Sequence, residues 1–192
     1  RCSAPMVGAS ELAFRLTVRT VGDIDLTWTS MIDADGYVKS ESYRREINHF
    51  HTDDDCVAQL GGRDPETLIE AARLLARFDA VKAVELNCGC PQRCARKNRY
   101  GAFLLDEPDL LCSIISRIRS TLRNTETACA VKVRIYKDEP KRTLDLCRRL
   151  ASPQCGAQII TVHGRSRDRE PHADWDIIRQ VKACLPQHVL LI

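Results

Sequence analysis

The chain has 192 residues, 44% hydrophobic and 29% charged, with a formal net charge of +3. That length supports one good-sized core and one domain, and the composition is ordinary for a soluble globular protein. It excludes a membrane span, since no apolar run approaches the about 20 residues needed, and so mild a charge means that any nucleic-acid footprint must be local.

Strand-like and helix-like segments alternate along the whole chain. Ser3–Val7 reads as a short strand closed by Gly8, and Ser10 as the N-cap of a helix containing Leu12, Phe14, Leu16 and Val18. Asp25–Met31 reads as a second strand, and the polar stretch 33–54 as a long excursion with one helical turn. Cys56–Leu60 is the third strand, ended by Gly61-Gly62. Asp64-Pro65-Glu66 opens a helix to about Phe78, with the proline suited to the first turn. Val81–Asn87 is the fourth strand, followed by the turn Asn87-Cys88-Gly89-Cys90-Pro91 and a basic loop with Arg93, Arg96, Lys97 and Arg99. A helix then runs from Glu107-Pro108-Asp109 through Leu122. Ala128–Ile135, Lys141–Leu150, Ala157–Val162 and Asp174–Cys184 continue the alternation, and Val189–Ile192 begins a seventh strand.

This spacing implies a parallel sheet with crossover helices, either doubly wound or a (β/α)8 TIM barrel. No Gly-x-Gly-x-x-Gly follows the first strand, which weakens the dinucleotide-binding version. Polar residues recur at strand C-termini: Gln59, Asn87 with Cys90, Lys132 with Arg134, and His163 with Arg165. Several strands feeding one face is the barrel signature. The expected fold is therefore an α/β TIM barrel truncated within the seventh strand, because a full barrel takes about 250 residues. The sequence contains no internal repeat, low-complexity tract or linker.

Cys90 sits between Gly89 and Pro91, outside any regular element and beside cations, which suits a reactive thiol better than a structural one. The run Cys88-x-Cys90-x3-Cys94, with His49 and His51 elsewhere, does not follow zinc-ligand spacing, and no metal is expected. Lys132 and Arg134 alternate with valines, so both face one side of their strand, where an anionic partner would offset the cost of burial. His163 is followed by Gly164 at a strand tip, and Gln59 could cap backbone groups or meet a planar heterocycle edge. Beside a reactive thiol, the basic loop is a candidate for phosphate contacts. The other cysteines mostly fall inside apolar patterns, as Cys112 and Cys147 do, which suggests buried thiols in a reducing compartment.

Seven blocks, in order, resemble the tRNA-dihydrouridine synthase family: Ala4–Val7, Leu12–Arg15, Gln59-Leu60, Asn87-x-Gly89-Cys90-Pro91-Gln92-Arg93 with Tyr100-Gly101-Ala102, Lys132–Arg134, Val162–Arg165 and Ala173–Trp175. The Gly-Cys-Pro-Gln-Arg form is similar to the eukaryotic cytoplasmic branches, nearest the 20a/20b type, with the 16/17 type close behind. The resemblance implies an FMN enzyme that uses NADPH (or NADH) to reduce the C5=C6 bond of uridine in the D-loop of tRNA. It implies Cys90 as the general acid for C5. It further implies Pro5, Met6, Gln59, Lys132 and His163 as FMN contacts, and Asn87, Arg93, Arg134 and Arg165 on the uracil or tRNA side.

Three departures stand out: Ser30 in place of a proline, Ser166 in place of a threonine, and a short segment from Asp168 to His172. The resemblance also places the cofactor-phosphate loops and a C-terminal tRNA-binding helical domain outside this sequence, so residues 1–192 are expected to retain FMN weakly and to show little activity. Two other readings stay open: a non-catalytic tRNA- or partner-binding relative, and an FMN barrel acting on a free pyrimidine. The basic loop favours a polyanionic substrate. The N-terminal run Arg1–Met6 lacks a signal-peptide core, so a cytoplasmic, or otherwise intracellular, location is expected, the nucleus included, with no membrane attachment.

Overall fold

The computed structural model describes residues 1–50, 55–168 and 170–192. Among them, seven strands form one all-parallel sheet: β1 (Thr27–Trp28), β2 (Ile32–Asp33), β3 (Cys56–Gly61), β4 (Val81–Cys88), β5 (Ala128–Val133), β6 (Ile159–Val162) and β7 (Leu190–Leu191). The order is β1-β3-β4-β5-β6-β7, with β2 on the same edge of β3 as β1.

The expected second strand, Asp25–Met31, shrinks to β1, and the edge resumes beyond it as β2. Thr29 explains the break. Its backbone N–H continues the ladder to the Val57 carbonyl at 3.0 Å, but Gln59 N donates to the Thr29 hydroxyl, also at 3.0 Å, where a regular parallel ladder would use the Thr29 carbonyl. The expected first strand, Ser3–Val7, is not a strand. Pairing there shrinks to one parallel bridge, Cys2 with Leu26, and to Ser3 N donating to Leu26 O at 3.1 Å. Ser10 is the reason the chain turns away. Its hydroxyl accepts from Met6 N at 2.9 Å and donates to Ala4 O at 3.1 Å, folding residues 4–10 into a loop. Ser10 therefore does not cap helix α1 (Leu12–Gly22), whose N-cap position is Glu11, without a side-chain cap.

The polar stretch after β2 holds two short helices, α2 (Ala34–Lys39) and α3 (Glu41–Ile47), capped by Asp33 and Ser40. His51 lies outside the described residues. The sheet's crossover helices are α4 (Pro65–Leu75), α6 (Pro108–Thr121), α7 (Pro140–Leu150) and α8 (Trp175–Cys184). Proline opens three of them, and Asp64 and Asp174 cap two by accepting first-turn N–H groups. The basic loop is partly helical: α5 (Arg93–Lys97) leads into a 3-10 turn, Gly101–Asp106. No helix among the described residues is long and apolar enough to cross a membrane.

Alternation along the strands separates two faces. Leu60, Leu86, Val131 and Ile160 pack against helix residues such as Leu68, Ile114, Ile115, Cys147 and Val181 in the main core. The other face carries Val57 and Gln59 on β3, Ala83, Glu85 and Asn87 on β4, Ala130 and Lys132 on β5, and Thr161 on β6. At its base, Trp28, Val57, Ala83 and Ala130 form a second cluster, against which Leu26 and Ile192 from opposite ends of the sheet both pack. The sheet is therefore curled into part of a barrel wall, with a dry base and a polar upper layer at the strand C-termini.

Candidate active site

The site begins where β4 ends. Asn87 Oδ1 accepts from the backbone N–H of Gly89 at 3.0 Å and of Cys90 at 2.9 Å, so the chain turns around its own side chain. This turn separates the two nearby thiols. Cys88 is fully buried in the helix-side core, where burial pushes its pKa up, whereas Cys90 lines the cavity on the inner face. Among the described residues, no three His, Cys, Asp or Glu side chains gather as a metal site.

The 3-10 turn seats the Cys90 loop from below. Ala102 N donates to Cys90 O at 3.0 Å, and Gly101 lies at φ +62°. A Cβ on Gly101 would come within 2.6 Å of Cys90 O and 3.0 Å of Cys90 Cβ. Gly101→Ala is therefore expected to lower stability by about 1–3 kcal/mol and displace the Cys90 turn. Denaturant unfolding measures the first effect and the alkylation rate of Cys90 the second; wild-type values for both would contradict this placement.

Beneath the turn lies a polar network. Asn87 Nδ2 donates to Gln59 Oε1 at 2.7 Å, and Gln59 Nε2 donates to Glu85 Oε1 at 2.7 Å. Thr161 Oγ1 donates to the other Glu85 oxygen at 2.9 Å. Glu85 is 0% exposed, and burial raises its pKa, opposed by the Gln59 bond, the Lys132 charge and the Thr161 bond. The Trp28 indole N–H faces the same carboxyl, close enough to favour its charge but outside hydrogen-bonding geometry. Glu85 is not among the residues singled out from sequence. Its signal was the alternation with Asn87, which puts a carboxyl on the inner face of a strand covered on both sides.

Lys132 pairs in register with Asn87 and faces the same cavity. Burial lowers its pKa, and the Glu85 charge partly restores it. Arg134 braces the surrounding loops: Nε donates to Gly89 O at 2.6 Å and Nη1 to Ser166 O at 2.8 Å. His163 Nδ1 lies 3.5 Å from the same Nη1. An arginine only donates, so Nδ1 is the acceptor and the ring proton sits on Nε2.

Burial, then the charges of Arg134, Lys132 and Arg165, hold the His163 pKa down at about 4, so the ring is neutral at neutral pH. The unfolded chain protonates this histidine near pH ~6.5 and the folded one only near 4, so its contribution to stability is present above ~6.5 and lost as the pH falls towards 4. His163→Gln is expected to flatten the decline of Tm across that window. Parallel Tm–pH profiles for wild type and variant would contradict it.

Of the residues singled out from sequence, Pro5, Gln59, Asn87, Cys90, Lys132, Arg134 and His163 line one cavity of about 180 Å³. Met6 is 39% exposed and does not line it; Val7 does. Ser30 holds the Met6 loop by donating to Met6 O at 3.0 Å. Arg165 is half-buried near His163. Arg93 lines an adjoining open groove of about 530 Å³ with Arg96, Phe103 and Arg167, and Pro91 belongs to both. Arg99 turns elsewhere, to Glu107, which Arg63 also clasps through both oxygens. Arg167 came to the groove unforeseen, from the loop after β6, where it pairs with Asp106 at 2.6 Å.

The model of the dihydrouridine synthase (Dus) family matches residues 2–192 of this chain. The chain belongs to the dihydrouridine synthase family. It is 36% identical over 198 residues to the tRNA-dihydrouridine(16/17) synthase of Schizosaccharomyces pombe, covering 100% of this chain and 47% of that one. To the human tRNA-dihydrouridine(20a/20b) synthase-like protein it is 37% identical over 181 residues, covering 93% of this chain and 55% of that one. The 20a/20b synthase of S. pombe matches at 37% over 188 residues, 95% of this chain and 55% of its own length. The chain spans about half the length of the curated relatives it matches. The names of all three specify NAD(P). In this chain of the family, the turn built on Asn87 is braced by Arg134.

Proposed function

We propose that the intact protein is a tRNA-dihydrouridine synthase that uses FMN and NAD(P)H to reduce the C5=C6 bond of uridine in the D-loop of tRNA. The observation that carries this reading is the convergence of Gln59, Asn87, Cys90, Lys132 and His163 on one cavity in a chain of this family. Within it, residues 1–192 form the FMN side of a (β/α)8 barrel, with the curled sheet as its wall. The relatives are named as synthases, which favours catalysis over a silent tRNA-binding relative.

The residues present fit FMN. Lys132 Nζ, the His163 Nε2–H and the second N–H of Gln59 are donors around one mostly apolar cavity, suited to the acceptor-rich edge of an isoalloxazine ring. When bound, FMN supplies the hydride chemistry that links NAD(P)H to the pyrimidine. Lys132 holds negative charge at that edge. Cys90 Sγ donates its proton at C5 of a uracil turned out of the tRNA fold. The apolar base of Trp28, Val57, Ala83 and Ala130 keeps water from beneath the site. Arg93 and Arg96 offer guanidinium groups to phosphates beside Pro91, while Arg167, lying over the Phe103 ring, is already paired with Asp106 in the same groove. An intracellular, tRNA-containing compartment follows from that substrate.

The visible spectrum of the intact protein tests the cofactor half of this reading. Flavin absorbance on purification, or saturable uptake of added FMN, is expected; a folded protein that takes up no flavin would overturn it.

A further inference from the structure

We infer that Glu85 is a positioning residue for Cys90: its buried carboxyl fixes the orientation of the two side-chain amides that hold the Cys90 turn. Glu85 does not line the cavity and takes no part in the proton transfer proposed above. Its effect is carried through Gln59 and Asn87.

The hydrogen bonds between them have one consistent direction. Backbone N–H groups only donate, so the amides of Gly89 and Cys90 require an oxygen from Asn87. Asn87 must then turn Nδ2 towards Gln59, and Gln59 must present Oε1 at 2.7 Å. That places Gln59 Nε2 2.7 Å from residue 85, which therefore has to accept. The side chain at 85 is held in turn by Thr161 on β6, 2.9 Å from its other oxygen. The relay thus links β6 to the Cys90 turn by way of β4 and β3, and every member is buried.

An apolar side chain at 85 removes the acceptor for Gln59 Nε2, leaves that buried N–H unsatisfied, and leaves Asn87 alone to hold Gln59 against a flip. A flipped Gln59 sets Nε2 against Asn87 Nδ2, donor to donor. Asn87 then has to rotate, and the two turn amides lose their acceptor. A glutamine at 85 behaves differently. Its oxygen still accepts from Gln59, and its N–H can donate to the Thr161 hydroxyl, which accepts as readily as it donates. Orientation survives in that variant while the charge is gone.

Hydrogen exchange at the Gly89 and Cys90 amides of the intact protein, without flavin or RNA, reads this directly. Glu85→Leu is expected to speed exchange at both by about tenfold or more, and Glu85→Gln by less than about threefold, with the α6 amides of Ile114 and Ile115 unchanged in both. Should Glu85→Leu fail to fold, Gln59→Met breaks the same relay and carries the same expectation. Unchanged exchange at Gly89 and Cys90 in the relay-breaking variant would overturn the inference, as would a Gln variant as fast as Leu. The inference rests on the proposed function only for what the turn serves; with no flavin or RNA in the measurement, its failure leaves dihydrouridine formation standing, and the reverse also holds.

Discussion

Cys90→Ala is expected to lower uridine reduction by the intact protein about 10²–10⁴-fold, the usual contribution of a positioned general acid, while FMN and tRNA affinities stay within about twofold. The thiol sits at the mouth of the turn built on Asn87, over the cavity that Lys132 and His163 also line. Cys88, two residues earlier, cannot take over, because it points into the helix-side core. Single-turnover assays with pre-reduced enzyme isolate the proton-transfer step from flavin reduction by NAD(P)H. A Cys90→Ala enzyme that reduces uridine at the wild-type rate would remove Cys90 from the mechanism.

Lys132→Met is expected to weaken FMN binding about 10–100-fold, the worth of one charge-assisted hydrogen bond in a partly desolvated site. Methionine keeps much of the stem's volume and removes the ammonium charge with its N–H donors. The same change removes the Lys132 charge that favours the ionised form of the buried Glu85 carboxyl, so Tm falls as well. Adding Glu85→Gln to Lys132→Met separates the two consequences: Tm recovers and flavin affinity does not. Fluorescence titration with FMN and thermal unfolding of both variants check this. Wild-type FMN affinity in Lys132→Met would show that the flavin edge is held elsewhere.

The strands from β3 to β6 were legible because each is a short apolar run with turn residues at its end, and the two-residue period placed Lys132 and Arg134 on one face. What stayed hidden depended on single side chains replacing backbone partners. Thr29 breaks the edge strand by lending its hydroxyl to Gln59, and Ser10 folds the first segment away from the sheet. No local pattern announces either. The bracing role of Arg134 was not legible, because its bonds to Gly89 and Ser166 span 45 and 32 positions in sequence, beyond any periodicity. The partners of Glu85 were hidden for the same reason, since they come from β3 and β6, although its alternation with Asn87 already places it on the inner face. The Asn-x-Gly-Cys-Pro block, by contrast, carries its turn locally, since Asn87 bonds amides only two and three residues ahead.

The most direct test is the dihydrouridine content of tRNA. Intact protein, FMN and NADPH are incubated with tRNA lacking the modification, and the nucleosides are analysed by mass spectrometry. Dihydrouridine that accumulates with wild type and not with Cys90→Ala is the predicted result. Flavin-loaded, tRNA-binding protein that forms none under either NADPH or NADH would contradict the account.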